Sequence, residues 1–335
     1  MKKSILPVLL CITSVLSGCN TQSAATSLSQ PETVKVQTQP ASESATQRPQ
    51  QTDDQNAAQI IEQNFSDHGI TDYESVDLSS MEESAGVSLS DYMCYRFFYP
   101  SDDLKIEAYL TAPKDQIRTD QPAPCLIYNH GGNQDYGALS PADTSYYAYQ
   151  FHTICIATNY RGCGQSEGKD QFGGDDVNDV IHLIDLCEAF DYMNNTQLNM
   201  IGMSRGGMMT YETLREDSRI HRAIVVSGVT DCTMTYNDRA DMSSLLKELI
   251  GGTPEEMPEE YEKRSATCFA DEIHTPLLIF HATGDDKVSI EQAKKLTALF
   301  DQYGTDYQFI SFDSDVHCDL RTEDMQTIHD FLVQK

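Results

Sequence analysis

Residues 202–206 read Gly-Met-Ser-Arg-Gly and carry the most specific chemical signal in the chain. They follow an apolar run (LNMI) and open a helix-like stretch (RGGMMTYETL). A Gly-x-Ser-x-Gly sequence between a strand and a helix is typical of a nucleophile elbow, a sharp turn that exposes the serine and needs glycine where backbones crowd together. The N-terminus of the following helix favours the negative charge that develops during attack. The pattern therefore predicts that Ser204 is a catalytic nucleophile.

A serine nucleophile needs a general base, and the base needs a carboxylate that orients it. After an elbow of this kind, the acid and then the histidine follow along the chain. The turn after the apolar run 276–281 (PLLIFH) holds two acids, Asp285 and Asp286. Two histidines lie beyond it: His317 follows the last strand-like run by a short loop, whereas His329 lies in an amphipathic helix-like stretch. These positions predict His317 as the base and a structural role for His329.

The carbonyl oxygen that becomes negative during attack needs two convergent donors. We expect one of them to be the backbone N–H of Arg205, directly after the nucleophile. The other is expected from the loop after the strand-like run 124–129, which reads His130-Gly131-Gly132. Glycine allows the backbone to approach the substrate closely, so the amide of Gly132 is the predicted second donor and His130 is predicted to brace the loop. The alternative is a tight turn with no catalytic part.

The elements that must position these residues alternate between strand and helix from about residue 93. Most of the strand-like runs are apolar throughout, as is typical of strands covered on both faces. The predicted strands are 93–99, 104–111, 124–129, 152–158, 198–203, 223–227, 276–281 and 307–312, and the predicted helices are 177–194, 205–216, 290–303 and 323–333. This alternation predicts an α/β fold with a mostly parallel eight-stranded sheet and helices on both faces. The acidic stretch 228–271 has no strand pattern and is a candidate helical cap over the site.

Two further segments extend the pattern beyond the elbow. Residues 159–164 (NYRGCG) resemble an Asn-Tyr-Arg-Gly-Ser segment, and residues 174–180 (GDDVNDV) resemble a Gly-x-x-Asp-Val-x-Asp-Val helix start. Together with the elbow, they resemble the catalytic domain of the prolyl oligopeptidase family, which has the α/β-hydrolase fold, over about residues 93–333. The acid of that family precedes two variable residues and then a valine, which implies Asp285 rather than Asp286.

The resemblance implies a serine hydrolase that cleaves peptide bonds through an acyl-enzyme on Ser204, with His317 as the base and Asp285 orienting it. Neither a cofactor nor a metal is expected. Three acids at the start of a predicted helix are interpreted as capping groups rather than metal ligands: Asp175, Asp176 and Asp179. The same machinery hydrolyses esters, so a carboxylesterase acting on acylated glycans or small esters is the alternative. A third interpretation is a non-catalytic binding lipoprotein that has kept the fold.

The N-terminus carries a targeting signal. Residues 1–18 combine Lys2 and Lys3 with a short apolar stretch and end in small residues before Cys19, the layout of a signal peptide. The sequence LSGC resembles the lipobox of bacterial lipoproteins. It implies cleavage before Cys19, lipidation of its thiol and an exported protein anchored in the bilayer at the outer face of the bacterial cell membrane. An ordinary secretory signal with an incidental cysteine is the alternative.

Composition divides the rest of the chain. Residues 19–58 are rich in Ser, Thr and Gln and are predicted to be a disordered tether, residues 59–92 a lead-in, and residues 93–335 the catalytic domain. Many family peptidases carry a β-propeller before this domain; the tether and lead-in leave no room for one, so we expect residues 228–271 to select substrates by size.

The chain has 52 acidic and 23 basic side chains, a formal charge of −29, which excludes nucleic acid as a partner. The oligomeric state and the disulfide pairing do not follow from the sequence.

Overall fold

The computed structural model describes residues 48–334, so the predicted signal peptide and Cys19 lie outside the described residues. The strands are β1 (Tyr73–Val76), β2 (Tyr92–Ser101), β3 (Leu104–Pro113), β4 (Ala123–Asn129), β5 (Ile154–Thr158), β6 (Met193–Met203), β7 (Ile220–Val226), β8 (Leu277–Ala282) and β9 (Tyr307–Phe312). The α-helices are α1 (Arg48–Asp67), α2 (Ser79–Ala85), α3 (Pro141–Phe151), α4 (Asp176–Ala189), α5 (Arg205–Glu216), α6 (Cys232–Asp238), α7 (Ala240–Ile250), α8 (Pro258–Lys263), α9 (Ile290–Tyr303) and α10 (Thr322–Leu332). Within the described range, no helix combines the length and the apolar character that crossing a membrane requires.

The strands form one sheet in the order β1-β2-β3-β5-β4-β6-β7-β8-β9. The pairs β1–β2, β2–β3 and β3–β5 are antiparallel, and the remaining pairs are parallel. The carboxyl ends of parallel strands lie at one edge of a sheet, where ligands of open α/β sheets bind. The loops after β4, β6, β8 and β9 therefore meet at this edge, and they hold Gly132, Ser204, Asp285 and His317 in that order.

Apolar side chains cover the sheet on both faces, which explains why its inner strands read as unbroken apolar runs. All six residues of β8 are buried. They alternate between two core clusters, with Leu277 and Ile279 in one and Leu278 and Phe280 in the other. Helices α1, α4, α5 and α9 contribute to the first cluster, and α3 and α10 contribute to the second. The predicted mostly parallel α/β fold with helices on both faces is confirmed.

The N-terminal elements differ from their prediction. The sheet has nine strands rather than eight, because the short edge strand β1 is mostly exposed and has no apolar pattern to reveal it. Helix α1 begins at Arg48, so the predicted end of the tether at residue 58 falls inside a helix and is wrong. Three apolar side chains of α1 at a spacing of four are buried in the core: Ala57, Ile61 and Phe65. Tertiary packing orders this helix although its composition is polar.

Residues 228–271, all of them described, contain α6, α7, α8 and two short 3-10 helices, and no strand. The insertion between β7 and β8 thus consists of short helices joined by turns and irregular segments, as the sequence indicates. The insertion is bonded to neighbouring elements at both of its ends. Asp231 pairs with Lys295 of α9 at 2.5 Å, and Arg264 Nε donates to the Phe172 carbonyl at 3.0 Å.

Candidate active site

Ser204 stands in the sharp turn between β6 and α5. Its backbone has φ 57° and ψ −121°, a conformation that residues other than glycine rarely adopt and that surrounding contacts must hold. The Ser204 amide donates to the Val226 carbonyl at 3.0 Å, and the Ser204 carbonyl accepts from the Val229 amide at 3.1 Å. A Cβ on Gly206 would lie 1.9 Å from the Asn129 carbonyl oxygen, so only glycine fits there. The turn has the geometry of a nucleophile elbow.

Asp285 and His317 are hydrogen-bonded between the loops after β8 and β9. The His317 Nδ1–H donates to Asp285, with Nδ1 2.8 Å from Oδ2 and 3.0 Å from Oδ1. The amides of Lys287 and Val288 donate to Asp285 Oδ1 at 2.9 Å and 3.0 Å. Asp286 is exposed and pairs with Lys287. The acid that contacts the histidine is therefore Asp285.

The surroundings of Asp285 keep it ionised. Burial alone would raise its pKa, but the hydrogen bond and charge of His317 and the amides of Val288 and Lys287 lower the pKa from 3.8 to about 2. A carboxylate at this position holds the Nδ1–H of the imidazole and leaves Nε2 to accept a proton. His281 lies 3.7 Å from Asp285, but burial lowers the pKa of His281, so it stays neutral at neutral pH.

The basic nitrogen of His317 lies beside a thiol. His317 Nε2 is 3.4 Å from Cys318 Sγ. Among the described residues, no hydrogen bond joins Nε2 to Ser204 Oγ. The Cys318 thiol also donates to the Val226 carbonyl at 3.7 Å, the same carbonyl that accepts from the Ser204 amide. Catalytic hydrogen bonds are often long without substrate and tighten when substrate binds. The eight cysteines of the described range, Cys318 included, are free thiols.

The two backbone amides predicted as oxyanion donors lie in the loop after β4 and at the start of α5. The amides of Gly132 and Arg205 make no hydrogen bond within the described residues. A Cβ on Gly131 would lie 3.1 Å from Ser204 Cβ and 3.7 Å from Oγ, so the loop after β4 packs against the nucleophile. Gly132 has a φ of +87°, and a Cβ there would lie 1.9 Å from the Tyr136 carbonyl oxygen. The loop therefore requires glycine at this position.

His130 contacts this loop and is unsuited to act as a base. Its ring stacks on Tyr160 with centroids 4.3 Å apart, and its Nδ1–H donates to the Gly131 carbonyl at 2.8 Å. Burial lowers the pKa of His130 to about 4, so the imidazole is neutral at neutral pH. His329 lies in α10 next to Asp330, with 48% of its side chain exposed. The structure thus separates both histidines from the Asp285–His317 pair.

Two acids interpreted from the sequence as helix-capping groups have a further role. Asp176 pairs with Arg205, and Asp179 pairs with Arg161 at 2.7 Å. Both aspartates have fully buried side chains, and a buried carboxylate requires such a partner. These pairs span 29 and 18 positions of the chain, so no local pattern reveals them. Within the described range, no group of three or more His, Cys, Asp or Glu side chains is arranged to hold a metal ion.

The sheet order and the positions of the three polar residues define a class of protein. A serine elbow after one parallel strand, an acid after a later strand and a histidine after the last are the arrangement of an α/β-hydrolase, here with nine strands. Residues 142–335, more than half of the chain, match the family model described as the prolyl oligopeptidase family. The chain belongs to this family, whose members are serine hydrolases.

Individual relatives agree with this assignment. The chain is 30% identical over 200 residues to the uncharacterized peptidase YtmA of Bacillus subtilis, which covers 59% of this chain and 76% of the relative. It is 25% identical over 227 residues to the uncharacterized peptidase YuxL of the same organism, but spans only 34% of that protein. Among solved structures, the Pyrococcus horikoshii acylaminoacyl peptidase superposes with a TM-score of 0.62 at 16% identity, over 76% of this chain and 43% of the peptidase. The structural likeness shows the shared fold.

Proposed function

We propose that this protein hydrolyses peptide bonds through an acyl-enzyme formed on Ser204. The observation that carries the proposal is the hydrogen bond between His317 Nδ1 and the ionised Asp285, at the sheet edge where Ser204 stands in its elbow. Ser204 Oγ attacks the carbonyl carbon while His317 Nε2 takes the hydroxyl proton, and Asp285 stabilises the resulting imidazolium. The amides of Arg205 and Gly132 donate to the oxyanion.

The acyl-enzyme then forms and is hydrolysed by the same groups. His317 returns its proton to the leaving amine, so that the C–N bond breaks and an ester to Ser204 remains. His317 next takes a proton from water as the water oxygen attacks the ester carbonyl carbon, and it returns that proton to Ser204 Oγ when the C–O bond to the serine breaks. This step releases the carboxylic acid and restores the serine hydroxyl. Both steps need a hydrogen bond between Nε2 and Ser204 Oγ, whereas in the described conformation Nε2 contacts the Cys318 thiol.

The relatives support a peptide as the substrate. YtmA is named a peptidase, and the Pyrococcus horikoshii structure is named an acylaminoacyl peptidase. This chain spans less than half of that structure. We propose that residues 228–271 select substrates by size. Arg264 of this insertion bonds to Phe172, whose ring contacts the guanidinium of Arg205.

Turnover of matched substrates tests this function. The purified protein is assayed on peptide p-nitroanilides and on p-nitrophenyl esters, alongside Ser204→Ala, His317→Ala and His329→Ala. We expect turnover of the p-nitroanilides that Ser204→Ala and His317→Ala abolish and His329→Ala leaves intact. Turnover of esters alone would favour the carboxylesterase, and loss of activity in His329→Ala with retention in His317→Ala would overturn the assignment of the base.

We also propose that the protein is exported and attached to the outer face of the bacterial membrane through a lipidated Cys19. The support is the LSGC sequence after a short apolar stretch. Metabolic labelling with a palmitate analogue in a bacterial host should mark the wild type and leave Cys19→Ser unmarked. Equal labelling of the two proteins would contradict lipidation at this cysteine.

A further inference from the structure

The side chain of Arg205 turns into the protein although its backbone lies next to the nucleophile. Its guanidinium is buried and forms a two-pronged pair with Asp170, with Nη1 2.8 Å from Oδ2 and Nη2 2.7 Å from Oδ1. Nη2 also donates to Asp176. The rings of Tyr160 and Phe172 lie 5.0 Å and 4.9 Å from the guanidinium carbon. The planar fork is therefore held in one orientation by two acids and two aromatic rings.

Asp170 and Arg205 are both bonded to the loop after β4 that carries Gly132, here called the oxyanion loop. Arg205 Nη1 donates to the Gly132 carbonyl at 3.4 Å, and Asp170 Oδ2 accepts from the Gln134 amide at 2.6 Å. Gly132 and Gln134 both have a positive φ, +87° and 47°. A residue other than glycine, such as Gln134, keeps a positive φ only where its surroundings stabilise that conformation. The contacts from Arg205 and Asp170 do so.

Asp176 is bonded to a different segment of the chain. Asp176 Oδ2 accepts from the Gly173 amide at 3.0 Å, not from the oxyanion loop. The neighbouring Phe172 carbonyl accepts from Arg264 of the insertion 228–271. One guanidinium thus pairs with two buried carboxylates that have different neighbours, and only Asp170 is bonded to the loop that carries Gly132.

We propose that the Arg205 side chain is a positioning residue for the oxyanion hole. Through Asp170 and the Gly132 carbonyl it sets the direction of the Gly132 amide, while the backbone amide of Arg205 supplies the other donor. One residue then fixes the spacing between both donors, which a lysine, with a single flexible point charge, cannot do. The inference rests on the proposed function, since this spacing matters only if an oxyanion forms at Ser204.

Asp170 and Arg205 keep their charges over the pH range of an assay. Burial would raise the pKa of Asp170, but the charge and hydrogen bonds of Arg205 and the amides of Gln134 and Phe172 hold it below its ordinary value. Burial would lower the pKa of Arg205, yet Asp176 and Asp170 hold it above its ordinary value. Weakening the network should therefore change kcat without moving the pH profile.

Asp170→Asn and Asp179→Asn form a matched pair, because each removes the charge of a buried carboxylate that is paired with an arginine, and only Asp170 is bonded to the loop that carries Gly132. We expect Asp170→Asn to lower kcat by about 100-fold, the cost of misplacing a catalytic group by about 1 Å, with little change in KM. Affinity for a peptide aldehyde, whose adduct with Ser204 places an oxygen in the hole, should fall with kcat. Asp179→Asn, whose partner is Arg161 rather than Arg205, should keep kcat within about fivefold of the wild type with a similar loss of thermal stability.

The outcomes separate the two proposals. Equal losses of kcat in Asp170→Asn and Asp179→Asn, or a loss confined to KM, would overturn the positioning role while leaving the hydrolase intact. Absence of Ser204-dependent turnover in the wild type would instead overturn the proposed function. If Asp170→Asn does not fold, Arg205→Lys replaces it, since lysine keeps a positive charge in the buried site: a loss of kcat with unchanged KM and pH profile supports the role, and wild-type kcat refutes it.

Discussion

Replacing Asp285 with asparagine keeps the size of the side chain and removes the charge that orients His317. In the native protein, Asp285 accepts from His317 Nδ1 at 2.8 Å and from the Val288 amide at 3.0 Å. An asparagine can still accept from the amide, but its NH₂ group then faces Nδ1 and favours the tautomer that carries its proton on Nε2. That nitrogen could no longer act as the base, so we expect kcat to fall by roughly 10⁴-fold with KM nearly unchanged.

Asp286→Asn is the matched control, because it makes the same chemical change one residue later. Asp286 is exposed, and its partner Lys287 lies 3.4 Å away and is itself half-exposed. An exposed pair of this kind contributes about 0–1 kcal/mol, and Asp286 makes no contact with His317 within the described residues. We expect Asp286→Asn to keep kcat within about twofold of the wild type.

Steady-state kinetics on the best p-nitroanilide or ester substrate measure both variants, and circular dichroism confirms that each is folded. The assignment of the acid is refuted if Asp285→Asn keeps more than about one tenth of the wild-type kcat. It is equally refuted if Asp286→Asn is the variant that loses activity.

Two further predictions concern the oxyanion loop and stability against acid. Gly132→Ala would place a Cβ 1.9 Å from the Tyr136 carbonyl oxygen, so kcat should fall about 10²- to 10³-fold. The control is Gly69→Ala, which lies at a φ of +74° with open space around it and should retain activity. Equal kcat values in the two variants would contradict the role of the loop. The lowered pKa of Asp285, from 3.8 to about 2, stabilises the fold by about 2 kcal/mol above about pH 4, and this contribution is lost as the pH falls towards 2. Asp285→Asn lacks the contribution, so its deficit in the free energy of urea unfolding should shrink between about pH 5 and about pH 2; a constant deficit would contradict the sign of the shift.

Much of the fold and the candidate site follows from local patterns in the sequence. The elbow around Ser204 is contiguous, and the helices after it and after β8 span Arg205–Glu216 and Ile290–Tyr303, as their apolar spacing predicts. His317 could be selected because it follows a recognisable strand, and Asp285 because it follows a strand and also has the family's spacing to a valine. The sequence pattern did not predict elements that depend on tertiary packing. Helix α1 is an example, because its composition is polar apart from a few apolar positions, three of which are buried in the core.

Long-range pairing explains what the sequence did not reveal at the site. The contacts of the Arg205 side chain with Asp170 and the Gly132 carbonyl join residues 35 and 73 positions apart. The thiol of Cys318 is adjacent to His317 in sequence, yet its position beside Nε2 depends on the backbone conformation at Cys318, where φ is 55°. Neither contact has a spacing rule that could be applied in advance.

Covalent labelling of the nucleophile tests the serine-hydrolase chemistry most directly. The purified protein is treated with a fluorophosphonate, and the adduct is located by intact mass and peptide mapping. We predict one adduct, on the peptide that contains Ser204, that is absent in Ser204→Ala and forms much more slowly in His317→Ala. An adduct on another residue, or equal labelling of Ser204→Ala and the wild type, would contradict the role of Ser204.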